Sequence, residues 1–342
     1  GRTLAIAGRA RHHAGVKRTF LALCLLASTA HATNRVVLVR DPAVLDGRNV
    51  NAARAAAMVN ASMKSLTSQT NLTAAWQQLF SSNDVVGIKV STVAAPAHVT
   101  HPEVLAAIAA GLQLAGVAST NIIIFDRDPK KLRDAGYTGL RVAAIIGETG
   151  WDAGVFIESP SVGKLIWGDL EFGKEEPLSN RSHFPKLLTQ TITKLINVPV
   201  LMDHEAAGLA GCLYNVTLGM ADNVRRFEQP GQRPDPAIIE LYARPELRRK
   251  LVLNIADALY AGYAGGPAFK PQYSWPYAGL YFSRDAVALD AVCLDLVEAK
   301  RQEQNVAPIG DRAGHVMAAG KAKLGQVDRE QIELVEVTPV TQ

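Results

Sequence analysis

The sequence predicts an α/β fold: a mostly parallel central sheet flanked by helices, with a small β-rich insertion near residues 150–190. Three observations predict it. Short apolar runs alternate with helical patterns, as in DVVGIKV at 84–90, the apolar-faced segment 101–115 and NIIIF at 121–125. The runs are short and continuous, as suits strands buried in a sheet. Charged groups follow them: Lys89, then Asp126-Arg127, then Asp203-His204. In a parallel sheet those groups share the carboxyl edge, where ligands of open α/β sheets bind.

In chain order, Arg35–Val39 reads as the first strand and the Ala-rich 51–66 as a helix with few breakers. Strand 84–90 follows, then helix 101–115, where Pro102 suits a first turn. Strand 121–125 leads to a short helix over 130–135. The middle is less regular, and Val155–Ile157 and Lys164–Trp167 read as hairpin-like strands of the insertion. Ile196, Val198, Val200 and Leu201 form a strand that Asn197 and Pro199 interrupt, which points to an edge position or a bulge. After Asp203-His204-Glu205, Leu209, Cys212, Leu213, Val216 and Leu218 recur at helical spacing. Residues 235–242 and 245–259 read as helices, 280–282 as a strand, 286–300 and 315–324 as helices, and 332–337 as a closing strand. Between them, 260–279 is rich in Gly and Pro yet holds six of the chain's 21 aromatic residues, so it is no solvated linker.

The first 32 residues stand apart. Arg9, Arg11, Lys17 and Arg18 precede the apolar run 20–26, and Ala30-His31-Ala32 follows, the order of a secretory signal. The run is shorter than the roughly 20 residues of a membrane span. Lys17-Arg18-Thr19-Phe20-Leu21 is similar to a twin-arginine export signal with Lys in the first position. Residues 33–342 then read as one exported α/β domain, periplasmic or extracellular. Without residues 1–32 the formal charge falls from +4 to −1, which removes the basic surface that nucleic-acid binding needs. Cys212 and Cys293 are the only cysteines left, both in apolar patterns, and their pairing stays open. No C-x-x-C occurs, so no iron–sulfur cluster is expected and the cofactor is open.

His204 beside Asp203 suits a general acid/base or a metal ligand, with Asp203 orienting the ring. Lys89 and Arg127 suit a substrate carboxylate or phosphate, with Asp126 beside them. Each has a structural alternative: a helix cap for Asp203, an edge lysine with its head in solvent for Lys89, and an internal ion pair for Asp126-Arg127-Asp128. Asp285 reads as a helix cap, with Asp290 about one turn further on. No phosphate loop, dinucleotide fingerprint or nucleophile elbow is present.

Asp84–Val90, Thr100–Glu103, Asn121–Arg127, Asn197–Gly219 and Arg284–Ala291 together resemble the domain-of-unknown-function 362 family over residues 84–301. The most specific part is D-H-x-x-x-G-x-x-G-x-x-x-N-x-x-x-G, from Asp203 through Asn215 to Gly219; Tyr263–Gly279 is also similar to that family. The resemblance implies frequent export and, in some members, ferredoxin-type segments, but no established reaction. The chain departs from the pattern at Met202 and Tyr214, where a Lys is common, and at Ser91, where an Asn is.

The expectation is an exported small-molecule enzyme of unassigned reaction with its site at the strands' carboxyl ends. Asn215 would supply a neutral hydrogen bond, and Trp275 would sit in a lid of residues 260–279 that excludes water. A non-catalytic periplasmic protein binding a ligand or metal is the alternative. A structural protein without a site is the third reading.

Overall fold

The structure, a computed structural model, describes residues 34–158, 180–229 and 231–340. The segment 1–32 and the expected strand 164–167 lie outside the described residues.

Strand β1 (Arg35–Arg40) opens the chain and a two-residue hairpin, β2 (Leu45–Asp46) and β3 (Asn49–Val50), follows it. Helix α1 (Ala52–Thr67) begins where the Asn51 side chain accepts the Arg54 N–H, and α2 (Leu72–Gln77) is capped in the same way by Asn71. Then come β4 (Val86–Val90), α3 (Pro102–Leu114), β5 (Ile122–Asp126), α4 (Pro129–Ala135) and β6 (Arg141–Ala144). Strands β7 (Trp151–Glu158) and β8 (Arg181–Pro185) pair antiparallel as a separate two-stranded sheet, which places the β-rich insertion where it was expected. The chain continues through β9 (Lys194–Val198), β10 (Val200–His204), β11 (Gly208–Ala210) and α5 (Cys212–Val216). Helices α6 (Asp235–Ala243) and α7 (Pro245–Arg248) precede the 12-residue strand β12 (Leu251–Gly262). Strands β13 (Ser274–Trp275) and β14 (Gly279–Ser283), helices α8 (Ala286–Glu303) and α9 (Gly314–Lys321), and β15 (Glu333–Val337) complete it.

The main sheet has the order β15-β1-β14-β12-β9-β4-β5-β6. Strands β12, β9, β4, β5 and β6 are parallel, as are β1 and β15, while β14 runs against both its neighbours. One core lies under α1, α2 and α3, with Trp76, Ile88 and Ile255; the other lies under α5, α6, α8 and α9, with Leu195, Leu213 and Ile238. No described helix is long and apolar enough to cross a membrane.

Three expectations are corrected. The segment 245–259 is not a helix. It stops helically at Arg248, and the Ala- and Leu-rich residues beyond it form central strand β12, with Leu253 and Ile255 in one core and Ala256 and Ala258 in the other. Burial on both faces overrides the helical preference of Ala and Leu. Of the two readings of the strand around Asn197, the bulge holds and the edge does not: the strand is central, and Pro199 falls between β9 and β10, where the register with β12 shifts. Residues 208–218 are not one amphipathic helix, because Gly208–Ala210 pairs with β10 first.

A polar row crosses the second core. Lys89, Asn197, Asn254 and Ser283 are register partners on four adjacent strands and all are buried. Asn197 Nδ2 donates to the Cys212 carbonyl (3.0 Å) and to Asn254 Oδ1 (2.9 Å), while its Oδ1 accepts Asn215 Nδ2 (2.8 Å). The Cys212 carbonyl is only an acceptor, so it fixes which way every amide in the row points. Replacing Asn197 with Ala strands both neighbouring amides and the Cys212 carbonyl. Urea unfolding is expected to show a loss of about 3 kcal/mol or more, the cost of three unsatisfied buried groups; a loss below ~0.5 kcal/mol would show that the row contributes little.

Candidate functional site

The strand ends β4, β5 and β10 deliver Lys89, Asp126 and His204 to one cavity of about 410 Å³ at the carboxyl edge of the sheet. Arg127 and Asn215 line it as well. That volume suits a small molecule.

Lys89 is already satisfied there. Its Nζ donates to Asp126 Oδ1 (2.7 Å), the Val90 carbonyl (2.8 Å) and Asn215 Oδ1 (3.1 Å). Three acceptors require three protons, so the group is an ammonium. Burial lowers its pKa and Asp126 pulls it back up. Asp126 is equally committed: Oδ1 also accepts the Arg127 N–H (2.8 Å), and Oδ2 accepts the backbone N–H (2.9 Å) and hydroxyl (2.7 Å) of Thr92. Lys89, Asp126 and Asn215 therefore line the cavity as a mutually bonded wall. Arg127 projects into the cavity with Nη1 held by the Leu218 carbonyl (3.0 Å).

Asp203 and His204 are neighbours in β10, and successive strand side chains point to opposite faces. Asp203 does not orient His204. Its Oδ1 accepts the Gly266 N–H (2.9 Å), its Oδ2 lies 3.8 Å from Arg301, and burial raises its pKa. His204 faces the cavity. Its Nδ1 accepts the backbone N–H groups of Ala206 and Ala207, each at 3.2 Å, and burial lowers its pKa. The Tyr214 ring lies against that of His204, tilted by 39° at 4.5 Å, and its hydroxyl donates to Glu228 Oε1 at 2.5 Å; the same oxygen is 3.7 Å from His204 Nε2. Glu228 was not singled out from the sequence. It follows a short turn over Arg225–Phe227 with no periodicity to mark it. Tyr214 was visible only as a departure from the family pattern.

Trp275 is not brought to the cavity. It packs in β13 between Tyr263 (5.8 Å) and Tyr277 (6.3 Å), in an aromatic row continued by Tyr281. The segment 260–279 reaches the site instead through Pro267, which lines it, and Gly266, which binds Asp203. Among the described residues no three His, Cys, Asp or Glu side chains group as metal ligands. Cys212 and Cys293 are free and buried.

The glycines have local causes. Gly208 has φ +73°, and a Cβ there would meet the Ala313 nitrogen at 2.5 Å. A Cβ at Gly211 would lie 2.3 Å from Asp290 Oδ1. Asp290 accepts the Cys212 and Leu213 N–H groups at the start of α5, and burial pushes its pKa up to about 7. Asp285 caps α8, as its position before the helix predicted.

A family model described as "Domain of unknown function (DUF362)" matches residues 86–295. No curated protein matches. A crystal structure of a protein from Thermotoga maritima is similar at 13% identity and a TM-score of 0.38, over 62% of this chain and 51% of that one. The match thus spans about half the length of that protein.

Two outcomes follow from the geometry. Lys89→Met leaves the Asp126 carboxylate buried without its cation and is expected to cost about 3–5 kcal/mol in urea unfolding; a variant of unchanged stability would return Lys89 to the ligand. His315 on α9 is fully buried with neither ring nitrogen bonded, and burial, with His204 nearby, lowers its pKa to about 3. The unfolded chain takes up this proton near pH 6.5 and the folded chain refuses it until about pH 3, so its stability contribution is full above pH 6.5 and lost as pH falls. Between pH 7 and 5 the stability of His315→Leu should fall less than that of the unaltered chain, by about 2 kcal/mol over the whole range.

Proposed function

The chain belongs to the DUF362 family, and from that premise we propose that it is an exported enzyme acting on a small anionic molecule in the cavity at the carboxyl edge of the sheet. The observation that carries this reading is the convergence of His204, Tyr214 and Glu228 beside Arg127 in one cavity. Lys131 and Arg225 also line it, which favours a ligand carrying carboxylate or phosphate. Glu228 Oε2 has no hydrogen-bond partner among the described residues, and an uncommitted carboxylate oxygen in a site is a group available for chemistry. Export rests on the basic, apolar and small-residue order of residues 1–32. A non-catalytic binding role would use the same cavity, and turnover separates the two.

The test begins with mass spectrometry of small molecules retained by the purified protein, followed by thermal unfolding with small carboxylates and phosphates. A ligand at 100 times its Kd should stabilise the fold by about 2.7 kcal/mol. Arg127→Ala should weaken binding about tenfold or more, the scale of one charge-assisted hydrogen bond. No retained molecule and no stabilisation by any anion would count against the reading, as would a protein outside the cell or in the periplasm that keeps Gly1.

A further inference from the structure

His204 and Glu228 have complementary proton states, and the hydrogen bonds fix which is which. His204 Nδ1 accepts two backbone N–H groups, so its lone pair is used. The neutral ring then carries its proton on Nε2 and presents a donor to the cavity. A second ring proton would have to face those two N–H groups, so the ring resists becoming an imidazolium. Its Nε2 cannot take a proton from a substrate. Glu228 can: the Tyr214 hydroxyl occupies Oε1, and Oε2 is uncommitted among the described residues. The two groups stand 3.7 Å apart on one wall, with guanidinium groups of Arg127 and Arg225 around the same cavity.

Resting on the enzyme reading above, we propose that the cavity catalyses proton transfer at a carbon next to a carbonyl in small anionic carbonyl compounds, with Glu228 as proton acceptor and His204 as neutral Nε2–H donor to the carbonyl oxygen. Glu228 takes the proton, the C–H electron pair forms a carbon–carbon double bond, and the carbonyl pair moves to oxygen. The His204 Nε2–H stabilises that oxyanion, a role a neutral imidazole fills well because it need not give up its proton. Return of the proton to the same carbon exchanges it with solvent and restores the Glu228 carboxylate, so the cycle balances with no further reagent. Tyr214 is a positioning residue that aims Glu228 through the hydrogen bond to Oε1.

The test has one readout free of substrate. The ¹⁵N spectrum of His204 should show a protonated Nε2 and an unprotonated Nδ1 from pH 6 to 9; a protonated Nδ1 overturns the assignment. The second readout is proton exchange in D₂O followed by ¹H NMR, with pyruvate and 2-oxoglutarate in one arm and dihydroxyacetone phosphate in the other, to separate carboxylate from phosphate recognition. Protein-dependent exchange is expected in at least one arm, falling 100-fold or more in Glu228→Gln. His204→Gln, which keeps an N–H, should retain more exchange than His204→Phe. Tyr214→Phe should lower the maximal exchange rate with little change in the substrate concentration at half-rate, since Glu228 loses the hydrogen bond that aims it. No exchange in either arm, or exchange indifferent to Glu228→Gln in a folded variant, overturns the proposal. Thermal stabilisation by these probes without exchange would leave the cavity a ligand site; neither effect would sink both readings.

Discussion

An ammonium group buried at the end of a strand must have all three protons accepted, and much of this structure satisfies that requirement for Lys89. Asp126 provides charge, Val90 a carbonyl and Asn215 an amide oxygen. Asn215 can offer its oxygen only because Asn197 takes its nitrogen, and Asn197 is turned by the Cys212 carbonyl of α5. The short helix is thereby fixed over the sheet, and Asp290 of α8 holds the same first turn through two N–H groups. The demand of one charge spreads through three strands and two helices.

The same commitment divides labour in the cavity. Polar groups that satisfy one another form a rigid wall, and groups with an open valence are left for a ligand. Lys89, Asp126 and Asn215 are of the first kind. His204 Nε2 and Glu228 Oε2 are of the second, each aimed by a partner on its other polar atom. Rigidity behind and openness in front is the arrangement that electrostatic preorganisation requires.

Much of the fold was legible because β4, β5 and α3 carry clean apolar patterns, and the shared edge was legible because a charge follows each strand. Strand β12 was misread because Ala and Leu suit a helix when nothing in the local sequence says that both faces will be covered. The site was legible by place but not by role. Sequence cannot count acceptors around a lysine, so Lys89 looked available when it is not. Asp203 looked like a partner of His204 because adjacency in sequence hides the alternation of a strand. Glu228 could not be found, since only the fold brings a loop residue 24 positions beyond His204 back to its ring. Trp275 was assigned to a lid because 260–279 is rich in Gly and Pro as well as aromatics, and its ring packs on neighbouring tyrosines instead.

The polar row across β4, β9, β12 and β14 also has a meaning for assembly. These strands are apolar on both faces, so hydrophobic burial alone distinguishes poorly between alternative alignments of neighbours. A slip of one residue reverses every side chain of a strand. It would carry Lys89, Asn197 or Asn254 from beneath α5 into the predominantly apolar layer under α1 and α3, away from the acceptors that meet them now. The row works as a key whose teeth admit one alignment of four strands, and the strand ends that frame the cavity are set by it before any ligand arrives.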